Sequence, residues 1–123
     1  MASSGQFAAV VDDDESVARA ISRVLRAAGL KVDTFTTGNA LLQKMQMQPW
    51  YRPGCVILDV CMPDPDGLEM QRRLADTRIP IIFMTAHDVP EARDKALSAG
   101  AIGYLRKPFN TAYLVDLVRS VIA

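Results

Sequence analysis

The sequence predicts a single α/β domain in which five short strands alternate with five helices. Three observations lead there. Short apolar runs recur along the chain, and two of them, CVILD at 55–59 and PIIFMT at 80–85, lack the polar alternation of a half-exposed strand, as expected where a parallel sheet is covered on both faces. Each run is followed by a longer stretch with apolar residues at helical spacing. Strict strand–helix alternation then implies parallel strands joined by right-handed crossovers. A chain of 123 residues fits one such domain, and it contains no repeat, linker or low-complexity segment.

The elements follow in order. Ala8 to Asp12 is the first strand. Glu15 to Ala28 is a helix, with Val17, Ala18, Ile21, Leu25 and Ala28 on one face and Gly29 as its stop. Val32 to Thr36 is a strand whose mixed polarity places it at an edge. Asn39 to Met47 is a helix ended by Pro49, and WYRPG is a loop. Cys55 to Asp59 is a buried strand. Asp66 and Glu69 have the spacing of a capping box, opening a helix to about Ala75. Pro80 to Thr85 is a buried strand with its proline confined to the first residue. Asp88 to Ala99 is a helix with Pro90 in its first turn and Gly100 as its stop. Ile102 to Arg106 is a short strand, and Asn110 caps a closing helix to Ile122. Residues 1–6 are expected to be a disordered or appended tail, and 7–123 the domain.

Composition narrows the function. Acidic and basic residues balance, 14 against 14, so no net field favours nucleic acid or a membrane surface. No apolar run approaches the roughly 20 residues that span a bilayer, and MASSGQ lacks the basic and apolar regions of a signal peptide. If 55–59 is a strand, Cys55 and Cys61 lie on the order of 20 Å apart, too far for a disulfide. Two free thiols suit a reducing cytoplasm.

In an open parallel sheet, chemistry gathers beyond the carboxyl ends of the strands. Those ends here carry Asp12 and Asp13, Asp59, Thr85 and Lys107. Three carboxylates in a partly dry site repel one another unless protonated or joined by a cation. Oxygen ligands favour Mg²⁺ or Mn²⁺. A carboxylate beside a metal and a lysine is a poor general base but a competent nucleophile toward phosphorus, and the cations neutralise the incoming phosphoryl group. The constellation points to an aspartyl phosphate.

VVDDDESV at 10–17, ILDVCMPDPDGLEM at 57–70, IIFMTA at 81–86 and AGAIGYLRKPF at 99–109, in that order and at those separations, resemble the receiver domain of bacterial two-component response regulators over nearly the whole chain. The resemblance implies a flavodoxin-like sheet of order 2-1-3-4-5. It also implies that Asp59 accepts phosphate and that Asp12, Asp13, Asp59 and the backbone carbonyl of Cys61 hold Mg²⁺. Thr85 is then the switch hydroxyl, Lys107 the site amine ahead of a cis bond to Pro108, and Tyr104 an aromatic switch residue that turns inward after Thr85 moves. A histidine kinase is the implied phosphodonor. The domain promotes its own phosphorylation and slow dephosphorylation without being a turnover enzyme, and it contacts neither nucleic acid nor membrane.

Plainer assignments compete at several positions. Asp12 and Asp13 alone could be a polar turn; Asp59, Thr85 and Lys107 in register favour the site. Asp14 and Glu15 suit the N-cap and first turn of the first helix, Asp66 a cap and Asp64 a loop. Gly67 meets a conformational or packing requirement. His87 suits an exposed loop near the mouth of the site, as does Cys61. The last helix is apolar around much of its circumference, more than packing on one side needs, so a partner, output domain or dimer face is expected over residues 88–122. Alternatives on the same architecture are an unphosphorylated adaptor, a Mg²⁺-dependent aspartyl phosphatase and a nucleotide or flavin binder. Val60-Cys61-Met62 after Asp59 does not match the DxDxT pattern of the phosphatases, and DDDE after the first strand repels a metal-free phosphate.

Overall fold

A computed structural model describes residues 6–87 and 89–122. Its elements run β1 (Phe7–Val11), α1 (Glu15–Ala27), β2 (Lys31–Phe35), α2 (Gly38–Met47), β3 (Cys55–Asp59), α3 (Gly67–Leu74), a 3₁₀ turn (Ala75–Thr77), β4 (Ile81–Thr85), α4 (Pro90–Ser98), β5 (Gly103–Arg106) and α5 (Thr111–Val121). All strand pairings are parallel, in the order β2-β1-β3-β4-β5, which is the flavodoxin-like order. The tail over residues 1–6 lies outside the described residues except for Gln6.

Strand side chains alternate between two cores. Ala8, Val10, Ile57, Ile82 and Met84 join α1 and α5 through Ile21, Leu25, Leu114 and Val118. Ala9, Val11, Leu58 and Phe83 join α2, α3 and α4 through Leu41, Met70, Leu74 and Ala96. Both faces of the sheet are therefore dry, which is why β1 is apolar throughout and β3 and β4 are apolar up to their last residues, Asp59 and Thr85. In β2 only Val32 is buried, as expected of an edge.

Helix ends agree with the residues that encode them. Gly29 stands at φ 86°, and the amides of Gly29 and Leu30 return to the carbonyls of Arg26 and Leu25, a Schellman motif. Gly100, at φ 102°, closes α4 the same way through Leu97 and Ala96. Asp14, Asp66 and Asn110 each accept an amide hydrogen bond as N-caps.

Three local expectations change. The capping box forms only in part: Asp66 accepts from the Glu69 amide at 2.8 Å, but the Glu69 carboxylate pairs with Arg72 and Arg73, whose cations attract it more than a neutral amide does. Helix α4 begins at Pro90, with Val89 at the cap position and no side-chain cap bond. Asp88, expected to start it, lies outside the described residues. Past Leu74 the α3 backbone tightens into a 3₁₀ turn, held by the Thr77 hydroxyl donating to the Leu74 carbonyl.

Candidate functional site

Because all five strands point the same way, their carboxyl ends open onto one rim, and the loops leaving them carry the polar groups. Asp12, first residue past β1, is fully buried. Its amide still bonds the Phe35 carbonyl at 3.1 Å, so it continues the ladder at the strand's edge. Its carboxylate accepts from the Asp14 amide at 2.9 Å and from Lys107 Nζ at 2.9 Å. Asp59, last residue of β3, is 7% exposed. It accepts from the Cys61 amide at 3.2 Å and faces Lys107 Nζ at 3.6 Å. One ammonium thus bridges two buried carboxylates. Asp13, exposed on the rim, completes a cluster in which one carboxylate oxygen from each of Asp12, Asp13 and Asp59 lies within 4.8 Å of the others.

The electrostatics follow from this geometry. Burial pushes the Asp59 carboxyl above the ordinary range; Lys107 opposes that, Asp12 adds to it, the Cys61 amide opposes it and Asp13 adds to it. For Lys107 burial works toward a lower value, but its hydrogen bond and charge contact with Asp12, and the charge of Asp59, raise it on balance. One ammonium cannot neutralise three carboxylates, so the rim retains negative charge. An oxygen-only donor set with excess charge, open on the Asp13 side, fits a small hard cation.

The remaining residues divide. Thr85 ends β4 and is fully buried. Its hydroxyl donates to the His87 carbonyl at 2.8 Å and accepts from the His87 amide at 3.1 Å, so it is engaged with the following loop. The Thr85 carbonyl accepts from the Lys107 amide at 2.7 Å, which anchors the β5–α5 loop beside the rim, and the Lys107–Pro108 bond is cis, as is Asp64–Pro65. Tyr104 on β5 packs on Phe83 with ring centroids 6.1 Å apart and its hydroxyl buried. Cys61 and His87 are exposed at the mouth. Asp14 is a cap, its carboxyl lowered chiefly by the Ser16 hydroxyl and amide, and does not join the acidic cluster.

Two contributors carry no side-chain signature. The His87 backbone holds the Thr85 hydroxyl, an arrangement no residue pattern encodes. Gly67 matters through what it lacks. A Cβ there would stand 2.7 Å from the Asp59 carbonyl oxygen and 2.8 Å from Val60 Cα, both backbone, and its amide bonds the Val60 carbonyl at 3.1 Å. Close approach of the α3 N-terminus to the end of β3, not a left-handed backbone, is what the glycine provides.

A family model described as the response regulator receiver domain matches residues 8–119. The chain belongs to the response regulator receiver domain family. The receiver is 41% identical over 116 residues to the response regulator protein TmoT of Ectopseudomonas mendocina, covering 92% of this chain and 51% of TmoT. It is 36% identical to the DNA-binding transcriptional regulator NtrC of Klebsiella pneumoniae, covering 93% of this chain and 24% of that protein. A solved response regulator receiver protein from Burkholderia phymatum superposes with TM-score 0.86 at 52% identity, covering 96% of this chain and 97% of the other. The receiver thus spans about half the length of the curated relatives that head this comparison, or less. Among the described residues no helix is long and apolar enough to cross a membrane.

Proposed function

We propose that this receiver domain, residues 7–123, is a phosphorylation-controlled switch that accepts a phosphoryl group on Asp59 from the phosphohistidine of a histidine kinase. The supporting observation is Lys107 Nζ, poised 2.9 Å from Asp12 and 3.6 Å from Asp59. Asp12, Asp13 and Asp59, with the Cys61 carbonyl, would hold Mg²⁺, or Mn²⁺ in its place. The ion supplies charge neutralisation for the phosphoryl oxygens.

An Asp59 oxygen attacks phosphorus while the P–N bond to the donor imidazole breaks, and the imidazole leaves with the bonding pair and takes up a proton. Lys107, already between Asp12 and Asp59, keeps the nucleophile oriented and meets a phosphoryl oxygen as charge arrives. Thr85 donates its hydroxyl to another phosphoryl oxygen, which requires it to give up its bond to the His87 carbonyl and so redraws the loop into α4. Tyr104, packed on Phe83 beside that loop, responds to the vacated space. Phosphorylation thereby shifts an equilibrium between two arrangements of this region. Water at the mouth, past Cys61 and His87, slowly hydrolyses the acyl phosphate.

The readout surface is the α4–β5–α5 side, residues 88–122, where Val89, Leu97 and Tyr113 stand about half exposed. It would serve a dimer partner or an output domain. That NtrC, a DNA-binding regulator, is much longer than the matched region supports an output domain as one candidate occupant of this surface. The two free thiols suit a cytoplasmic setting.

Incubation with acetyl phosphate and Mg²⁺, followed by intact mass measurement, tests the assignment. A gain of one phosphoryl group is expected, absent in Asp59→Ala and in EDTA. Labelling that survives Asp59→Ala would assign the chemistry elsewhere.

A further inference from the structure

At the end of β4 remote from Asp59, α3 and α4 part around a cavity of about 550 Å³, within the size range of small-molecule sites. Its apolar wall includes Leu74, Ile79 and Ile102, and its cations are Arg72, Arg78 and Lys95. Among the described residues no acidic side chain lines it. Arg72 is engaged by Glu69, whereas Arg78 and Lys95 have no ion pair among the described residues.

Two features separate this cavity from a loose seam between helices. The buried Gln71 spans it, its side-chain amide donating to the Ala96 carbonyl at 2.9 Å, so α3 and α4 are tied together beside the gap. Arg78 sits at φ 59°, a left-handed conformation in which glycine or asparagine is the ordinary choice. Arginine nonetheless occupies this position, and it lines the cavity. Both helices also end here, and helix C-termini carry partial negative charge. At α4, however, the Gly100 and Ala101 amides already bond the Leu97 and Ala96 carbonyls, which weakens that partial charge beside Lys95.

We infer that the cavity binds a small amphipathic carboxylate, its hydrocarbon body against Leu74, Ile79 and Ile102 and its carboxylate between Lys95 and Arg78. An apolar wall with two unpaired cations and no anion complements that chemistry, and it disfavours both a neutral alcohol and an ammonium of the same chain length.

Octanoate, titrated into the methyl-labelled chain and followed by NMR without any phosphodonor, tests this independently of the Asp59 assignment. Saturable shifts at the Ile79 and Ile102 methyls are expected, with Kd on the order of 1 mM or tighter. Affinity should fall about tenfold in Lys95→Glu and disappear in Ala75→Phe, which fills the cavity from the exposed 3₁₀ turn. Octan-1-ol and octylammonium should bind at least tenfold more weakly. Absence of saturable shifts at those methyls, equal binding of the three probes, or octanoate binding indifferent to both substitutions would overturn the inference.

Discussion

The two ends of β3 are both buried and chemically opposite. Cys55 at the amino end is fully buried and Asp59 at the carboxyl end nearly so. Burial raises both groups, the thiol to about 12 with nothing opposing it, the carboxyl against the pull of Lys107 and the Cys61 amide. The difference lies in what the parallel sheet delivers to each end. Loops entering β2 to β5 come from helix C-termini, and the one before β3 brings Tyr51 into ring contact with Phe7 of β1, centroids 4.9 Å apart. Loops leaving the strands open helices, and they bring capping carboxylates, exposed amides and Lys107. A buried acid is tolerable only at the second end, where donors and a cation wait for it.

Thiol chemistry sharpens this contrast most. A thiol held near 12 rather than its usual 9.0 carries about a thousandth as much thiolate at pH 8. An aromatic disulfide reagent should therefore modify exposed Cys61 at once and Cys55 at least a thousandfold more slowly, at the rate of unfolding; a second fast thiol would show that the amino end opens. Removing the shared cation comes next. Lys107→Ala in EDTA leaves Asp12 buried and unpaired, and urea unfolding should report a loss of about 3 kcal/mol. Near-wild-type stability would mean that the rim carboxylates take up a proton or solvent instead. Gly67→Ala should cost about 2 kcal/mol, because the added methyl meets backbone that cannot move aside, and should slow acetyl phosphate labelling as the end of β3 shifts. The smallest effect has the opposite sign. Arg78→Gly relieves a left-handed arginine and should leave stability unchanged or raised by up to ~1 kcal/mol while weakening octanoate.

Most of the architecture was legible because it rests on local rules. CVILD and PIIFMT could be assigned as buried strands without knowing their neighbours, and β3 was placed to the residue. Position alone marks Gly29 and Gly100 as helix stops. Convergence of Asp12, Asp13, Asp59 and Lys107 followed from topology, since residues at the ends of parallel strands have nowhere else to go. What escaped depends on distances between elements. Its spacing from Asp66 assigns Glu69 to its own helix start, but Arg72 and Arg73 compete for it. Gly67 admitted a conformational or a packing explanation, and only the distance to the Asp59 carbonyl decides. The gap between α3 and α4 has no sequence signature, because it arises from what the side chains on two helices fail to fill.

Because the side chains of Ala8–Val11, Cys55–Leu58 and Ile81–Met84 alternate between two separate cores, the sheet works as a bulkhead. A substitution at Leu25 or Val118 is felt by α1 and α5; one at Met70 or Leu74 is felt by α2, α3 and α4. The two sides can drift separately while the shared strand ends keep the acidic rim in register. Such a chain can acquire new surface specificities on either side without renegotiating its chemistry.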